Sequence, residues 1–128
     1  MNVLIDTQSI IWFYENNPML SLTARQTIED VDNTCFVSMA SFWEISIKKN
    51  LGKLDIRGLP LSEFMDEVAE NNFLTLDIRR EHVIENERLP FFRRDPFDRL
   101  IIAQAITDNI LIVSSDSAFD DYPVRRIW

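Results

Sequence analysis

The apolar run Asn2-Val3-Leu4-Ile5 stops at Asp6, too soon to be a helix. A short unbroken apolar segment of this kind reads as a strand buried on both faces, and such strands belong to parallel sheets. The theme recurs along the chain. Thr34 to Ser38 is a second strand, Phe73 to Leu76 a brief third, Ile110 to Val113 a fourth and Val124 to Ile127 a weak fifth. Helical patterns fill the intervals. Asp6 or Thr7 caps a first helix carrying Ile10, Ile11, Phe13 and Tyr14, which Asn16-Asn17-Pro18 stops. A second helix runs from Ser21 to Asp30. A third begins at Ser38 or Ser41 and reaches Asn50, with Gly52 marking its end. Leu61 to Asn71 is amphipathic, with Leu61, Phe64, Met65 and Val68 on one side, and Arg80 to Glu87 is short and polar. After a loop containing Pro90, Asp95-Pro96 opens a helix to about Asp108, with Asp at the N-cap and Pro at the first helical position. Strands alternating with helices imply an α/β fold, a parallel sheet with helices on both faces.

The chain has 128 residues, 46% hydrophobic and 27% charged, which suits one globular domain over residues 1–128 with a single core. With only two glycines, no Gly-rich phosphate loop can be written. The single cysteine, Cys35, excludes an internal disulfide and a cysteine zinc site, and its apolar setting in Cys35-Phe36-Val37 makes it a core residue. Neither a signal-peptide pattern nor an apolar stretch of about 18 residues is present, so a cytoplasmic protein without a membrane partner is expected. The net charge of −8 argues against a nucleic-acid coat protein, although the basic residues are grouped: Lys48, Lys49 and Lys53; Arg79 and Arg80; Arg93, Arg94 and Arg99.

Four acids occupy suggestive positions. Asp6 and Asp116 each follow the carboxyl end of an apolar strand, the edge at which open parallel sheets bind ligands. Asp98 has Ile101, Ile102 and Ala105 at i+3, i+4 and i+7, which puts its carboxylate on the apolar stripe of its helix. Glu44 shares a side with Ala40, Ile47 and Leu51. Taken singly, Asp6 is explained as a helix cap, Asp98 as a complement to a helix dipole, Asp116 as a turn residue and Glu44 as a solvent-facing one. Together they are harder to dismiss, because a carboxylate on a buried stripe must be paired, hydrogen-bonded or metal-bound. His82, the only histidine, sits in a polar helix and is expected at or near the surface, so histidine-based catalysis has no supply. Clustered carboxylates repel one another, and hard cations such as Mg²⁺ or Mn²⁺ relieve the repulsion. An all-carboxylate metal site suits phosphodiester hydrolysis.

Four segments carry a family resemblance: Val3-Leu4-Ile5-Asp6-Thr7; Ser38-Met39-Ala40-Ser41-Phe42-Trp43-Glu44-Ile45; Asp95-Pro96-Phe97-Asp98-Arg99-Leu100-Ile101-Ile102-Ala103-Gln104-Ala105; and Ile112-Val113-Ser114-Ser115-Asp116. In this order, and most specifically in the third piece, the sequence resembles PIN domains, and among them the VapC-type toxins of toxin–antitoxin pairs. The resemblance implies a three-layer α/β/α sandwich around a mainly parallel sheet of about five strands. It also implies a Mg²⁺- or Mn²⁺-dependent endoribonuclease with Asp6, Glu44, Asp98 and Asp116 as catalytic and metal-binding acids. Asp6 and Asp98 would be direct ligands, Glu44 a ligand or water-orienting base, and Asp116 a ligand directly or through water. Asp95, chiefly the N-cap, and Ser114 would stand behind them, and Arg93, Arg94 and Arg99 could guide RNA phosphates, Arg99 equally pairing with an acid. The implied partners are RNA, an antitoxin that blocks the site and a second copy in a homodimer. Trp12, Phe13, Tyr14 and Trp43, where exposed, would suit the antitoxin interface.

Other function classes make distinct demands. An aspartate-based phosphatase of the haloacid-dehalogenase pattern needs a second acid two positions after the first, and Asp6-Thr7-Gln8 lacks it. A receiver-type phosphotransfer domain needs adjacent early acids, which are also missing. A catalytically silent binding module would keep the fold without metal-dependent cleavage.

Overall fold

The computed structural model describes residues 1–128. Its elements are β1 (Asn2–Ile5), α1 (Thr7–Tyr14), α2 (Leu22–Glu29), β2 (Thr34–Ser38), α3 (Met39–Asn50), α4 (Leu61–Glu70), β3 (Leu74–Leu76), α5 (Arg80–Arg88), α6 (Pro96–Asp108), β4 (Leu111–Val113), a 3₁₀ turn (Ser117–Asp121) and β5 (Arg126–Ile127). Every strand and α-helix expected from the sequence is present, with ends shifted by a residue or two. The 3₁₀ turn begins at Asp116, which the sequence offers as a turn residue, but its five residues carry too little periodicity to mark it as helical.

All pairings are parallel and the five strands lie in the order β3-β2-β1-β4-β5. β1 is central, and Val3, Leu4 and Ile5 are fully buried, which is why the opening run is apolar throughout rather than alternating. The pleat sends its side chains to opposite layers. Val3 and Ile5 join Val37, Ile10, Ala24, Phe42, Ile45, Phe64 and Val68 on the side of α1 to α4. Leu4 joins Ile101, Ile102, Ala105, Ile112 and Phe119 on the side of α5 and α6. The result is the expected three-layer α/β/α sandwich.

Local chemistry starts and stops the helices. Asp6, Ser21, Ser38 and Asp95 cap α1, α2, α3 and α6 through side-chain oxygens that accept backbone N–H groups. Gly52, at φ +71°, takes the chain out of α3, and Asn109, at φ 53°, does the same for α6. Gln104 ties the layers together: fully buried, its Oε1 accepts the Ser38 hydroxyl at 2.6 Å, while its Nε2 donates to the Asp77 carbonyl at 3.4 Å.

His82 departs from expectation. It is completely buried rather than at the surface. Its Nδ1 accepts the Arg79 N–H at 3.0 Å, so the proton sits on Nε2 and points to Asp108 at 3.2 Å. A polar helix pattern conceals this, because the ring is buried by its own N-terminal turn and by α6 rather than by an apolar stripe. Replacing His82 with Ala should cost about 2–4 kcal/mol in urea unfolding, from the cavity and the orphaned Arg79 N–H. A cost below about 0.5 kcal/mol, the level of an ordinary surface substitution, would show the contacts to be dispensable.

Candidate metal centre

The order of the strands in the sheet places the site. From β1 the chain builds outward through β2 and β3, then returns to the other side of β1 for β4 and β5. The connections therefore diverge at the carboxyl ends of β1 and β4, the switch point at which such sheets form a crevice. Ile5 is in register with Val37 and Val113, so the next residues along are Asp6, Ser38 and Ser114, all buried. Asp6 is held there by its own N–H, which donates to the Val113 carbonyl at 3.1 Å.

A cleft of about 450 Å³ opens at this edge. Asp6, Glu44, Asp95, Asp98 and Asp116 line it, together with the cations Lys48, Lys53 and Arg93. The four acids singled out in the sequence thus reach one cavity from four different elements: the end of β1, the middle of α3, the first turn of α6 and the turn after β4. No three of them stand close enough to share one ion as the side chains lie. Their donor set is nonetheless all oxygen, without histidine or cysteine, which suits a hard divalent cation and not zinc or copper.

Each acid is held by separate contacts. One oxygen of Asp6 accepts the Ser9 N–H at 2.8 Å, capping α1. Burial pushes its carboxyl above the usual range, against the pull of hydrogen bonds from Ser114 and Ser9, and the nearby Asp116 charge adds to the rise. Asp98 is pushed up to about 6, first by burial and then by the charges of Asp95 and Glu44, although Arg93 hydrogen-bonds it. Glu44 is buried with its Oε2 on the Lys48 ammonium at 2.8 Å, the i,i+4 pairing expected on a helix. Asp116 accepts the Ala118 N–H at 3.0 Å and so starts the 3₁₀ turn.

Arg93 is the unexpected occupant. Its Nε donates to Asp98 Oδ2 at 2.7 Å and its other arm forms an ion pair with Asp116. Its guanidinium also lies 5.6 Å from the centroid of the Phe119 ring. One cation therefore spans two acids from different elements, substituting for the positive charge that they require.

The remaining candidates divide. Ser114 accepts the Asp116 N–H at 3.0 Å and lies beside Asp6, which places it behind the acids. Asp95 lines the cleft, but its Oδ1 is engaged by the N–H groups of Phe97 and Asp98 at 2.9 and 3.0 Å. Arg94 is exposed and forms no ion pair. Arg99 corrects an expectation: it is buried and meets neither acid nor solvent. Its guanidinium donates to the carbonyls of Asn86, Leu89, Pro90 and Arg93, so it organises the loop before α6 instead of reaching for phosphate. Lys48 and Lys53, which with Lys49 make one of the basic groups of the sequence but are not assigned to the site there, also line the cleft, and their proximity to Glu44 in sequence is the signal for them. Of the aromatics considered for a partner surface, Trp12, Phe13 and Tyr14 pack partly against the core, while Trp43 is 55% exposed with its ring on Phe97.

Comparison with known proteins gives the family. The VapBC2 complex of Rickettsia felis, solved with a DNA fragment from its promoter, contains a similar chain at TM-score 0.74 and 16% identity, over 98% of this chain and 97% of that one. VapBC-1 of nontypeable Haemophilus influenzae matches at TM-score 0.65 and 16% identity, over 98% and 96% of the two chains. FitAcB of Neisseria gonorrhoeae matches at TM-score 0.62 and 13% identity, over 97% and 95%. At these identities the likeness is one of fold. No curated protein matches the sequence. The PIN domain model, however, matches residues 3–124, and on that match this chain belongs to the PIN domain family.

Proposed function

We propose that this chain is a divalent-metal-dependent endoribonuclease, the toxin of a VapC-type toxin–antitoxin pair acting in the cytoplasm. The observation that carries the reading is the convergence of Asp6, Glu44, Asp98 and Asp116 on one cleft at the switch point of the sheet. Structural neighbours solved as VapBC and other toxin–antitoxin complexes support the antitoxin as a partner. No helix is long and apolar enough to cross a membrane.

Asp6 and Asp98 would hold Mg²⁺ or Mn²⁺, with Asp116 completing the shell directly or through water. Bound there, the ion would supply an activated water and a charge to stabilise the leaving oxygen. The residues themselves do the rest. Glu44, held by Lys48, would bind the ion or take a proton from water. Asp6 is oriented by the α1 N-terminus and by Ser114. With a metal held by Asp98 and Asp116, Arg93 would be free of them and able to meet an RNA phosphate. Arg94 and Lys53, exposed and without acid partners, add positive charge at the rim. Exposed Trp43 offers an apolar contact for the antitoxin or for a second copy of the chain.

The Arg93 bridge also favours a second reading, a binding module in which an internal cation replaces the metal permanently. Metal titration separates the two. Calorimetry should show Mn²⁺ binding to the wild type and several-fold tighter binding to Arg93→Gln, which removes the competing cation. Failure of both proteins to bind Mn²⁺ would establish the silent module.

Purified protein should cut RNA with Mg²⁺ or Mn²⁺ and stop when a chelator is added. Asp6→Asn and Asp98→Asn should each lower the rate by more than the roughly 10–100-fold that losing an outer-shell partner of a metal ligand costs, with unchanged circular dichroism. Cleavage that survives in both variants, or in chelator, rules the assignment out.

Asp98→Asn should also change stability in a pH-dependent way. The folded carboxyl holds its proton up to about 6 whereas an ordinary aspartate releases it near 3.8, so metal-free stability is lost as pH rises across that window. Above it, Asp98→Asn should be more stable than the wild type, by on the order of 1–3 kcal/mol, with the gain vanishing below pH about 4. A variant less stable at pH 7.5 than the wild type would mean that the Arg93 pair outweighs desolvation.

A further inference from the structure

Phe91 and Phe92 are 71% and 64% exposed, two adjacent large aromatic rings on the loop that leads into the acidic cleft. Apolar rings left in water work against folding, so looseness of the loop would be the ordinary explanation. The contacts argue otherwise. Arg99, itself buried, donates to the Leu89, Pro90 and Arg93 carbonyls at 3.4, 3.1 and 3.2 Å. The buried Tyr122 hydroxyl donates to the Pro90 carbonyl at 2.9 Å and accepts the Arg93 N–H at 3.0 Å. The backbone on both sides of the two rings is therefore pinned, and the rings are held outward by a built support.

That support is continuous with the acidic site. Phe91 stacks on the Arg99 guanidinium, whose Cζ is 4.6 Å from the ring centroid, and Arg99 is the residue after Asp98. Phe92 leans on Tyr122 at 5.5 Å between centroids, and Tyr122 ends the turn that begins at Asp116. The next residue, Arg93, bridges those same two acids. The rings thus back onto the supports of Asp98 and Asp116, each with one side occupied by protein and the rest open.

We infer that Phe91 and Phe92 form a base-stacking step beside the cleft, taking the unstacked bases that flank the bound phosphate. This rests on the ribonuclease reading and deepens it. A strand whose phosphate sits at the acids and is flanked by Arg93 and Arg94 has bases on either side that must go somewhere. Open aromatic rings next to cations accept them, provided that the bases are not already stacked in a duplex. A protein-docking core is poor in charge, whereas this pair is bracketed by exposed Arg88, Arg94 and Asp95.

The test is fluorescence anisotropy with Mg²⁺ in the Asp98→Asn background, where RNA is bound and not cut. The probes are a single-stranded oligoribonucleotide, the same sugar–phosphate strand without bases, and a duplex of equal length. The single strand should bind roughly tenfold tighter than the base-free strand or the duplex. Phe91→Ala/Phe92→Ala should bind all three alike, and Phe91→Leu/Phe92→Leu, apolar without a π face, should behave as the alanine variant does. Thermal melting checks that both fold. Retained discrimination in the variants, equal binding of all probes by the parent, or no RNA binding at all overturns the inference. Retained discrimination together with lost self-association would reassign the rings to a protein interface. Wild-type cleavage of the single strand is measured alongside. Absent cleavage with intact base discrimination would sink the nuclease reading and leave the step, and the reverse result would do the opposite.

Discussion

The pairing of β1 with β2 on one side and with β4 on the other governs the molecule. A parallel strand with neighbours on both edges and helices over both faces has no solvent-exposed side, so it must be apolar until it ends. The first polar residue after it is then delivered, buried, to the crevice where the connections diverge. Asp6 is that residue. Ser38 and Ser114 arrive at the same level from the two neighbouring strands, for the same reason. Helices α1 and α3 and the turn after β4 all start at this edge, so that backbone N–H groups and side-chain hydroxyls are already present to hold the acids.

Bringing carboxylates to such a place has an electrostatic cost, visible in the raised proton affinity of Asp6 and Asp98. The chain meets part of it with its own cations: Lys48 on Glu44, and Arg93 across Asp98 and Asp116. Such pairing keeps four acids in one cleft compatible with folding. It also means that the acids are held separately instead of gathered around a point: Glu44 on Lys48, Asp98 and Asp116 on Arg93, and Asp6 on Ser9 and Ser114.

The arginines before and within α6 show how alike residues diverge in use. Arg93 enters the cleft, Arg94 remains free in solvent, and Arg99 turns beneath the loop and binds four carbonyls. The last of these supports the exposed Phe91 and Phe92, and it ties the shape of the loop to the helix that carries Asp98.

Much of this was legible beforehand. The alternation of apolar runs with helical periods, the caps at Asp6, Ser21, Ser38 and Asp95, and the inward stripe of Asp98 are properties of neighbours along the chain, so they could be read from it, whereas Glu44 is buried although Ile47 and Leu51, on its side of the helix, are exposed. The tertiary structure alone decided that Arg93 bridges two acids, that Arg99 is buried and that His82 lies under α6 with Asp108. Long polar side chains reach several ångströms in any direction, and their partners are chosen by desolvation and by charges from elements distant in sequence. Local periodicity records neither, and both arise only when the layers close.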